Sequence, residues 1–475
     1  MKHGKKRKMK RSDTDTDSEM DASTSTQQEK RRESPTTSSS TAAPNQKHHC
    51  SESQPCSKCS NTMPFLPTLG DFNKFPLEIF EIILGYISVK DISMMCIVSK
   101  IIRNRVVNYI SSPYGNRRFF PQDFHDQDDS TAASILEHYS SLGLLFKRCT
   151  LLLPTKERLK YINKKFAEIS CFQFYGCLDP LNCLGLHCYG VFLQTLTAGW
   201  DEDECERVYD FLCDVTSLPQ RIQRIVSGKP GRFRKLELRI RSFCRGVLLN
   251  HWIHETDSIF WLTCILKPWP IVNQAQLLYL MFGPTSEEDG NIDWRNMTDG
   301  PTDENSLKGL ADAIKLLYET DRDEWMVDDV IGLVDELSVI PQEWHLENSA
   351  RFLIMCGNTI CFPFMASKAV DGQAVPLARL VVFQALVCEK DLYCMSWAVK
   401  MMQKVCTVFT TETEKNLFLQ SIENTFAQII MDALQLVIAG EHDEEETIFL
   451  NLFHLVNAQA NFHKEILYLT MNYCV

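Results

Sequence analysis

From about residue 132 to the end of the chain, apolar side chains return every third or fourth position in segment after segment. In LPTKERLKYINKKFAEIS they fall at Leu159, Ile162, Phe166 and Ile169, and in DECERVYDFLCDV at Cys205, Val208, Phe211 and Leu212. SLKGLADAIKLLYE, MVDDVIGLVDELSVI, PLARLVVFQALVCEKD and SIENTFAQIIMDALQLVIAG repeat the pattern. This is the period of an amphipathic helix packed on one face. Gly and Pro punctuate the segments in SGKPG, FGPTSEEDG and TDGPTDEN. Strand-like alternation is confined to RCTLLL and SCFQFYGC, neither of which has an evident partner. Helices of about 12–20 residues joined by short loops predict an irregular α-helical bundle or solenoid. No fixed repeat period is visible, so no named repeat family is expected.

The front of the chain reads differently. Residues 1–62 are rich in Ser, Thr, Lys and Glu and nearly empty of large apolar side chains, the composition of a disordered tail. Residues 72–112 then concentrate apolar side chains in FPLEIFEIILGYISVKDISMMCIVSK and the segment after it. Pro76 suits the first helical position, where a missing N–H costs nothing. Ile79, Ile83, Tyr86 and Ile87 mark one face of that helix. Phe75, Leu77, Phe80, Ile82 and Leu84 are apolar too, so it is apolar nearly all round and needs a second cover. Asp91 is the expected N-cap of a second helix, and IRNRVVNYI would form a third. A module of about 40 residues is marginal alone and needs the rest of the chain or a partner. The polar stretch 113–131 reads as a linker, and 132–475 as the helical body. The fold class expected is therefore mainly α: a three-helix module, then an irregular bundle or solenoid, behind a disordered tail.

Composition adds limits. The 475 residues carry a net charge of −12. The first 60 residues hold 12 Lys and Arg against 8 Asp and Glu, which leaves −16 on the remainder. An acidic body argues against direct binding of nucleic acid, which requires a basic face. In the tail, Lys5, Lys6, Arg7, Lys8, Lys10 and Arg11, with Lys30, Arg31 and Arg32, are candidate nuclear-import clusters. No secretory signal pattern and no long uncharged apolar run is visible, so no membrane span is expected, and the expected place is nucleus or cytoplasm. In those compartments the sequon at Asn296 is an accident of composition, and the 19 cysteines are buried thiols rather than a disulfide framework.

Nothing in the chain has the spacing of a catalytic or cofactor motif: no phosphate loop, no dinucleotide fingerprint, no metalloprotease helix, no nucleophile elbow. Asp328 and Asp329, and the acidic run Glu441 to Glu446, suit helix starts and solvated loops. His251 and His254 lie three apart, which without a third ligand is not a zinc site. Cys50, Cys56 and Cys59 beside His48 and His49 supply half a zinc motif. Cys171, Cys177, Cys183 and Cys188 lie within 18 residues, next to His187, at spacings of five, five and four. These are not paired C-x-x-C spacings, and Phe172, Phe174, Leu184 and Leu186 around them favour packed thiols. No cofactor and no metal is expected.

The stretch Phe75-Pro76-Leu77-Glu78-Ile79, with Ile83-Leu84, Asp91-Ile92 and Val98-Ser99-Lys100, resembles the F-box, matching it at many fixed offsets over 26 residues. Phe75 replaces the usual Leu, Lys90 a frequent Pro, and Ile102 a frequent Trp. LGLLFKRCTLLLPTKERLKYI, FLQTLTAGW, SLKGLADAIKLLY and LNLFHLVNAQANFHKE resemble a vertebrate member of the class without WD40 or leucine-rich repeats. The resemblance implies a non-catalytic adaptor. It implies that Phe75, Pro76, Leu77, Ile79, Ile83, Leu84, Ile87 and Val98 bind the Skp adaptor and, through it, the cullin and RING subunits of an SCF ubiquitin ligase. The body would then present an unknown protein substrate. The alternative is an F-box scaffold that holds a partner without promoting its ubiquitination.

Overall fold

The computed structural model describes residues 75–252, 254–320, 324–439 and 445–472, and among these it is all helix and turn. The basic clusters of the tail and its cysteines lie outside the described residues. Two isolated antiparallel bridges, His125 with Cys183 and Thr285 with Ile292, are the β-type pairings among the described residues. Of the two strand-like runs, RCTLLL is the end of a helix and a turn, and SCFQFYGC a short 3-10 turn and loop.

Four helices open the described chain: α1 Leu77–Tyr86, α2 Val89–Val98, α3 Lys100–Ser111 and α4 Pro113–Phe119. The stretch expected to be a linker therefore begins as a helix, with Pro113 in its first turn and Ser112 as its cap. It is also packed, because Phe119, Phe120 and Phe124 are all buried. Three large aromatic residues in a polar setting are enough to anchor such a segment, since each buries far more area than its neighbours leave exposed.

Next come α5 Asp129–Cys149, α6 Thr155–Phe166 and α7 Gly185–Thr197. The face read from sequence in α6 is the buried one: Leu159, Ile162, Phe166 and Ile169 are at most 4% exposed. Helix α5 lies along α7 on one side and along α2 on the other. Aromatic rings fill this junction. Phe120 meets Phe146 and Phe166 edge-on, each with centroids 6.1 Å apart, Phe166 meets Phe192 at 4.6 Å, and Phe172 stacks on Tyr189 at 5.2 Å. One apolar core consequently runs without interruption from Phe80 through the junction to Phe462, and the described residues form one compact unit.

The chain continues through α8 Glu202–Thr216, α9 Leu218–Val226, α10 Arg234–Phe243, a π-helical turn over Cys244–Leu249, α11 Glu255–Leu266, α12 Ile271–Phe282 and the single turn α13 Asn296–Asp299. The remaining helices are α14 Glu304–Tyr318, α15 Val327–Leu337, α16 Leu346–Cys356, α17 Asn358–Val370, α18 Ala374–Lys390, α19 Met395–Cys406, α20 Glu412–Ala439 and α21 Glu445–Asn472. They stack in two rows. Helices α14, α16, α18 and α20 pack side by side in one, and α15, α17, α19 and α21 in the other. Each helix meets near neighbours in sequence, the arrangement of a helical solenoid.

A buried ionic hub joins α16, the end of α18 and the segment ahead of α14. Arg351 donates to both oxygens of Asp391 (2.6 and 3.2 Å), to Glu347 (3.1 Å) and to the Thr302 carbonyl (2.8 Å). Lys390 donates to both oxygens of Glu347, at 3.2 and 3.0 Å. Two cations and two anions close on one another, and the Glu347 and Arg351 side chains are 4% and 5% exposed. Beside them Asn348 accepts from the Thr302 N–H and donates to the Met297 and Gly300 carbonyls. Charges this deep persist only when every one is paired.

Candidate functional site

Helix α1 starts one residue later than its sequence suggests. Pro76 stands at the N-cap and its carbonyl accepts from the Phe80 N–H at 3.2 Å. From there the 3.6-residue period divides an almost wholly apolar helix into two faces. Phe80 and Leu84 point inward with no exposed surface. Leu77, Ile79, Ile82 and Tyr86 point outward, Tyr86 at 90% exposure. The last turn of α1 carries no basic residue. Arg118 on α4 supplies one from outside, donating to the Leu84 and Ile87 carbonyls. A guanidinium there meets both the orphan carbonyls and the negative end of the helix dipole.

Helix α2 begins earlier than expected, with Ser88 rather than Asp91 as its cap. The Ser88 hydroxyl accepts from the Asp91 N–H at 3.1 Å and donates to the Asp91 carboxylate at 2.6 Å. The pair forms a reciprocal capping motif in which Asp91 is the third helical residue. Val89, Ile92, Ser93 and Cys96 turn inward, while Met94, Ile97 and Val98 turn outward. Burial pushes the Cys96 thiol up to about 11 despite nearby Arg103 and Arg148, so it packs as a neutral group. Fully buried Ser93 lets α2 lie close on α5, where Arg148 donates to its hydroxyl at 2.7 Å and to the Met94 sulfur at 2.9 Å. Helix α3 completes the module with Ile102, Val106, Tyr109 and Ile110 buried, so Ile102 fills core space at the position where Trp is frequent.

The outcome is a module with a covered back and an apolar front. Phe75, Leu77, Ile79, Ile82, Tyr86, Met94, Ile97 and Val98 are each at least 40% exposed. Of the residues expected to bind an adaptor, Phe75, Pro76, Leu77, Ile79 and Val98 are exposed, and Ile83 and Ile87 are half-buried. Leu84 is corrected: it lies in the core, one step round the helix from Ile83, and cannot touch a docked protein in this conformation. Ile82, Met94 and Ile97 were not among the expected contacts. Helical spacing from Ile79 would have found Ile82.

The other singled-out groups separate. His254 precedes α11 as its N-cap residue, whereas His251 faces His187 with ring centroids 5.2 Å apart. Burial, reinforced by His187, brings His251 down to about 4, a neutral packed imidazole. Asp328 and Asp329 sit in the first turn of α15, and Asn296 opens α13. Among the described residues no helix is long and apolar enough to cross a membrane. Cys188 is fully buried in α7, apart from Cys171, Cys177 and Cys183, which meet His125.

A family model described as "FBXO47, ARM repeats" matches residues 215–450. The chain is 62% identical to mouse F-box only protein 47 over 440 residues, covering 91% of this chain and 97% of the relative. It is also 62% identical to the human F-box only protein 47 over 438 residues, with the same coverage. No solved structure matches. The repeat model corrects the expectation of no named repeat. Its span takes in the two-row stack from α14 to the start of α21, where helices of 11 to 28 residues blur any fixed period.

Proposed function

The chain belongs to the family of F-box only protein 47, and from that premise we propose that it is the substrate-recognition subunit of an SCF ubiquitin ligase. The F-box docks on the Skp adaptor, which links it to the cullin and RING subunits, and the solenoid holds a protein substrate. The chain acts as an adaptor and performs no chemistry itself. A conjugating enzyme brought to the same assembly gains rate through effective concentration. The basic clusters Lys5–Arg11 and Lys30–Arg32 support a place in the nucleus as well as the cytoplasm, and belong to the same proposal.

The observation that carries this reading is the division of labour in α1 and α2. Phe80, Leu84, Ile92 and Cys96 are buried in the core that α2 shares with α5, while apolar side chains at Leu77, Ile79, Ile82, Met94, Ile97 and Val98 stay exposed. Burying a large aliphatic side chain contributes about 1.5–3 kcal/mol. Several of them together support stable docking, and the body has no use for them.

The test is co-purification of the Skp adaptor with the wild-type chain and with Leu77→Asp/Ile79→Asp/Val98→Asp, followed by ubiquitination in the reconstituted ligase. The expected result is capture by wild type and loss in a variant that keeps its circular dichroism and melting temperature. Capture unchanged in the variant would sink the docking face. Capture without any substrate-dependent ubiquitin transfer would favour the scaffold alternative.

A further inference from the structure

We propose that His125, Cys171, Cys177 and Cys183 form a structural zinc site that ties the segment after the F-box to the helical body. The four side chains offer three sulfurs and one imidazole nitrogen, all within 4.8 Å of one another. The Nε2 atom of His125 lies 3.5 Å from the Cys171 Sγ and 3.8 Å from the Cys177 Sγ. In a tetrahedral site with Zn–S near 2.3 Å and Zn–N near 2.0 Å, the N to S edge is about 3.5 Å and the S to S edge about 3.8 Å. The two distances from His125 thus stand close to the N to S edge of a zinc tetrahedron, and every other pair lies within 4.8 Å, near enough to close on one ion. Sulfur-rich tetrahedral donor sets select zinc over the harder divalent ions.

The surrounding backbone is built to aim these four groups. Cys171 and Cys177 flank a tight loop after α6, where a Cβ on Gly176 would lie 2.0 Å from the Ser170 carbonyl oxygen. Cys183 stands two residues ahead of α7, and its sulfur accepts from the Gly185 N–H at 3.3 Å. A Cβ on Gly185 would lie 2.6 Å from the Cys171 Cβ, so only glycine lets the two cysteines close up. His125 is delivered from the far side by its bridge to Cys183 and by the Leu184 N–H donating to the Phe124 carbonyl at 3.0 Å. Three thiolates around a divalent cation leave one net negative charge. Arg239 answers it, donating to the Phe174 carbonyl at 2.9 Å and the Cys177 carbonyl at 3.2 Å. Conserving ligand orientation through such outer contacts is how metal sites are held.

Packing alone does not account for the group. Buried thiols elsewhere, such as Cys188, Cys244 and Cys388, fill apolar space as small hydrophobic groups. Among the described residues this is the place where three thiols and an imidazole converge. All four positions come from the protein, which is the closed arrangement of a structural rather than a catalytic zinc.

The experiment measures metal in the full-length chain carrying Cys50→Ala/Cys56→Ala/Cys59→Ala, which removes the tail thiols. Mass spectrometry of the purified protein is expected to find about one zinc per chain, as a closed site requires. Cys177→Ser, Cys183→Ser and His125→Ala each lose it, and Cys188→Ser keeps it. Cobalt substituted into the parent protein should give tetrahedral bands with the charge-transfer intensity of three thiolates. No zinc in the folded parent, a full equivalent retained by Cys177→Ser, or an intensity of two or four thiolates overturns the proposal. The parent measurements decide it even where a ligand variant does not fold.

Discussion

Where α16 and α18 meet the segment ahead of α14, four charged side chains are largely taken out of water and paired, whereas on α1 and α2 seven apolar side chains are left in it. Both depart from the usual rule of apolar inside and polar outside. They do so for opposite reasons. In the hub Arg351 reaches Glu347, Asp391 and the Thr302 carbonyl from one planar group, so a single side chain fixes three elements in register. Replacing such a pair by apolar groups is often neutral, but removing one member leaves a bare charge inside. On the F-box the exposed apolar face does nothing for the isolated fold and has value only when another surface covers it. One region is specified inward, by mutual satisfaction; the other is specified outward, by what it lacks.

That contrast can be pressed by mutation. Arg351→Ala strands Glu347 and Asp391 and should cost about 3–5 kcal/mol of stability, seen as a large fall in melting temperature. Adaptor capture per folded molecule should not change. Ser88→Ala removes the cap of α2 and should cost about 1 kcal/mol, measured by denaturant titration. It should also weaken adaptor capture, because the outward face of α2 depends on where that helix begins.

A pH effect of smaller size is expected where α20 meets α21. Partial burial pulls His463 down, but the Glu423 carboxylate at 2.7 Å and the Gln459 carbonyl together hold it above its ordinary value. A histidine whose folded value is raised gives stability that is complete below its unfolded value, about 6.5, and that is lost as pH rises through the folded value. Melting temperature should therefore drop modestly as pH rises past about 6.5 in wild type, and this component of the drop should be absent in Glu423→Gln. Smallest of all is the stability change of Leu77→Asp/Ile79→Asp/Val98→Asp, within about 0.5 kcal/mol per exposed position. The variant that abolishes docking should be the one a melt barely registers, and a large melt shift would place the face in the core instead.

Much of this architecture was legible because helical period is local. Leu159, Ile162, Phe166 and Ile169 were readable as a buried face before any packing was known. Helix starts were less so. Ser88 and Asp91 are both good caps, and what separates them is that Val89 is buried and belongs inside the helix. In α1 the pattern failed for a different reason: when Ile82, Ile83 and Leu84 are all apolar, sequence has no contrast with which to tell outward from inward. Only the packing of the rest of the fold decides that Leu84 is covered and Ile82 is not. The cysteine group was half visible. Cys171, Cys177 and Cys183 are neighbours in the chain, but Cys188 looked like the fourth member and is not. His125 stands 46 residues before Cys171, and the fold alone brings it to the sulfurs. The three aromatic residues at 119, 120 and 124 were hidden in the same way, by polar neighbours that suggested a linker.

Helix α2 and helix α5 share one core, with Ser93 against Arg148 and the aromatic junction behind them. Among the described residues one continuous core joins the module that carries the exposed apolar face to the solenoid. On the proposed function, a cargo seated on a given turn of the solenoid would be presented at a set radius and bearing from α1, and lysines on that cargo would fall inside or outside the reach of a tethered donor according to where it is gripped. Choice of lysine would then become a matter of distance along the solenoid, written into the stacking of helices far from either end.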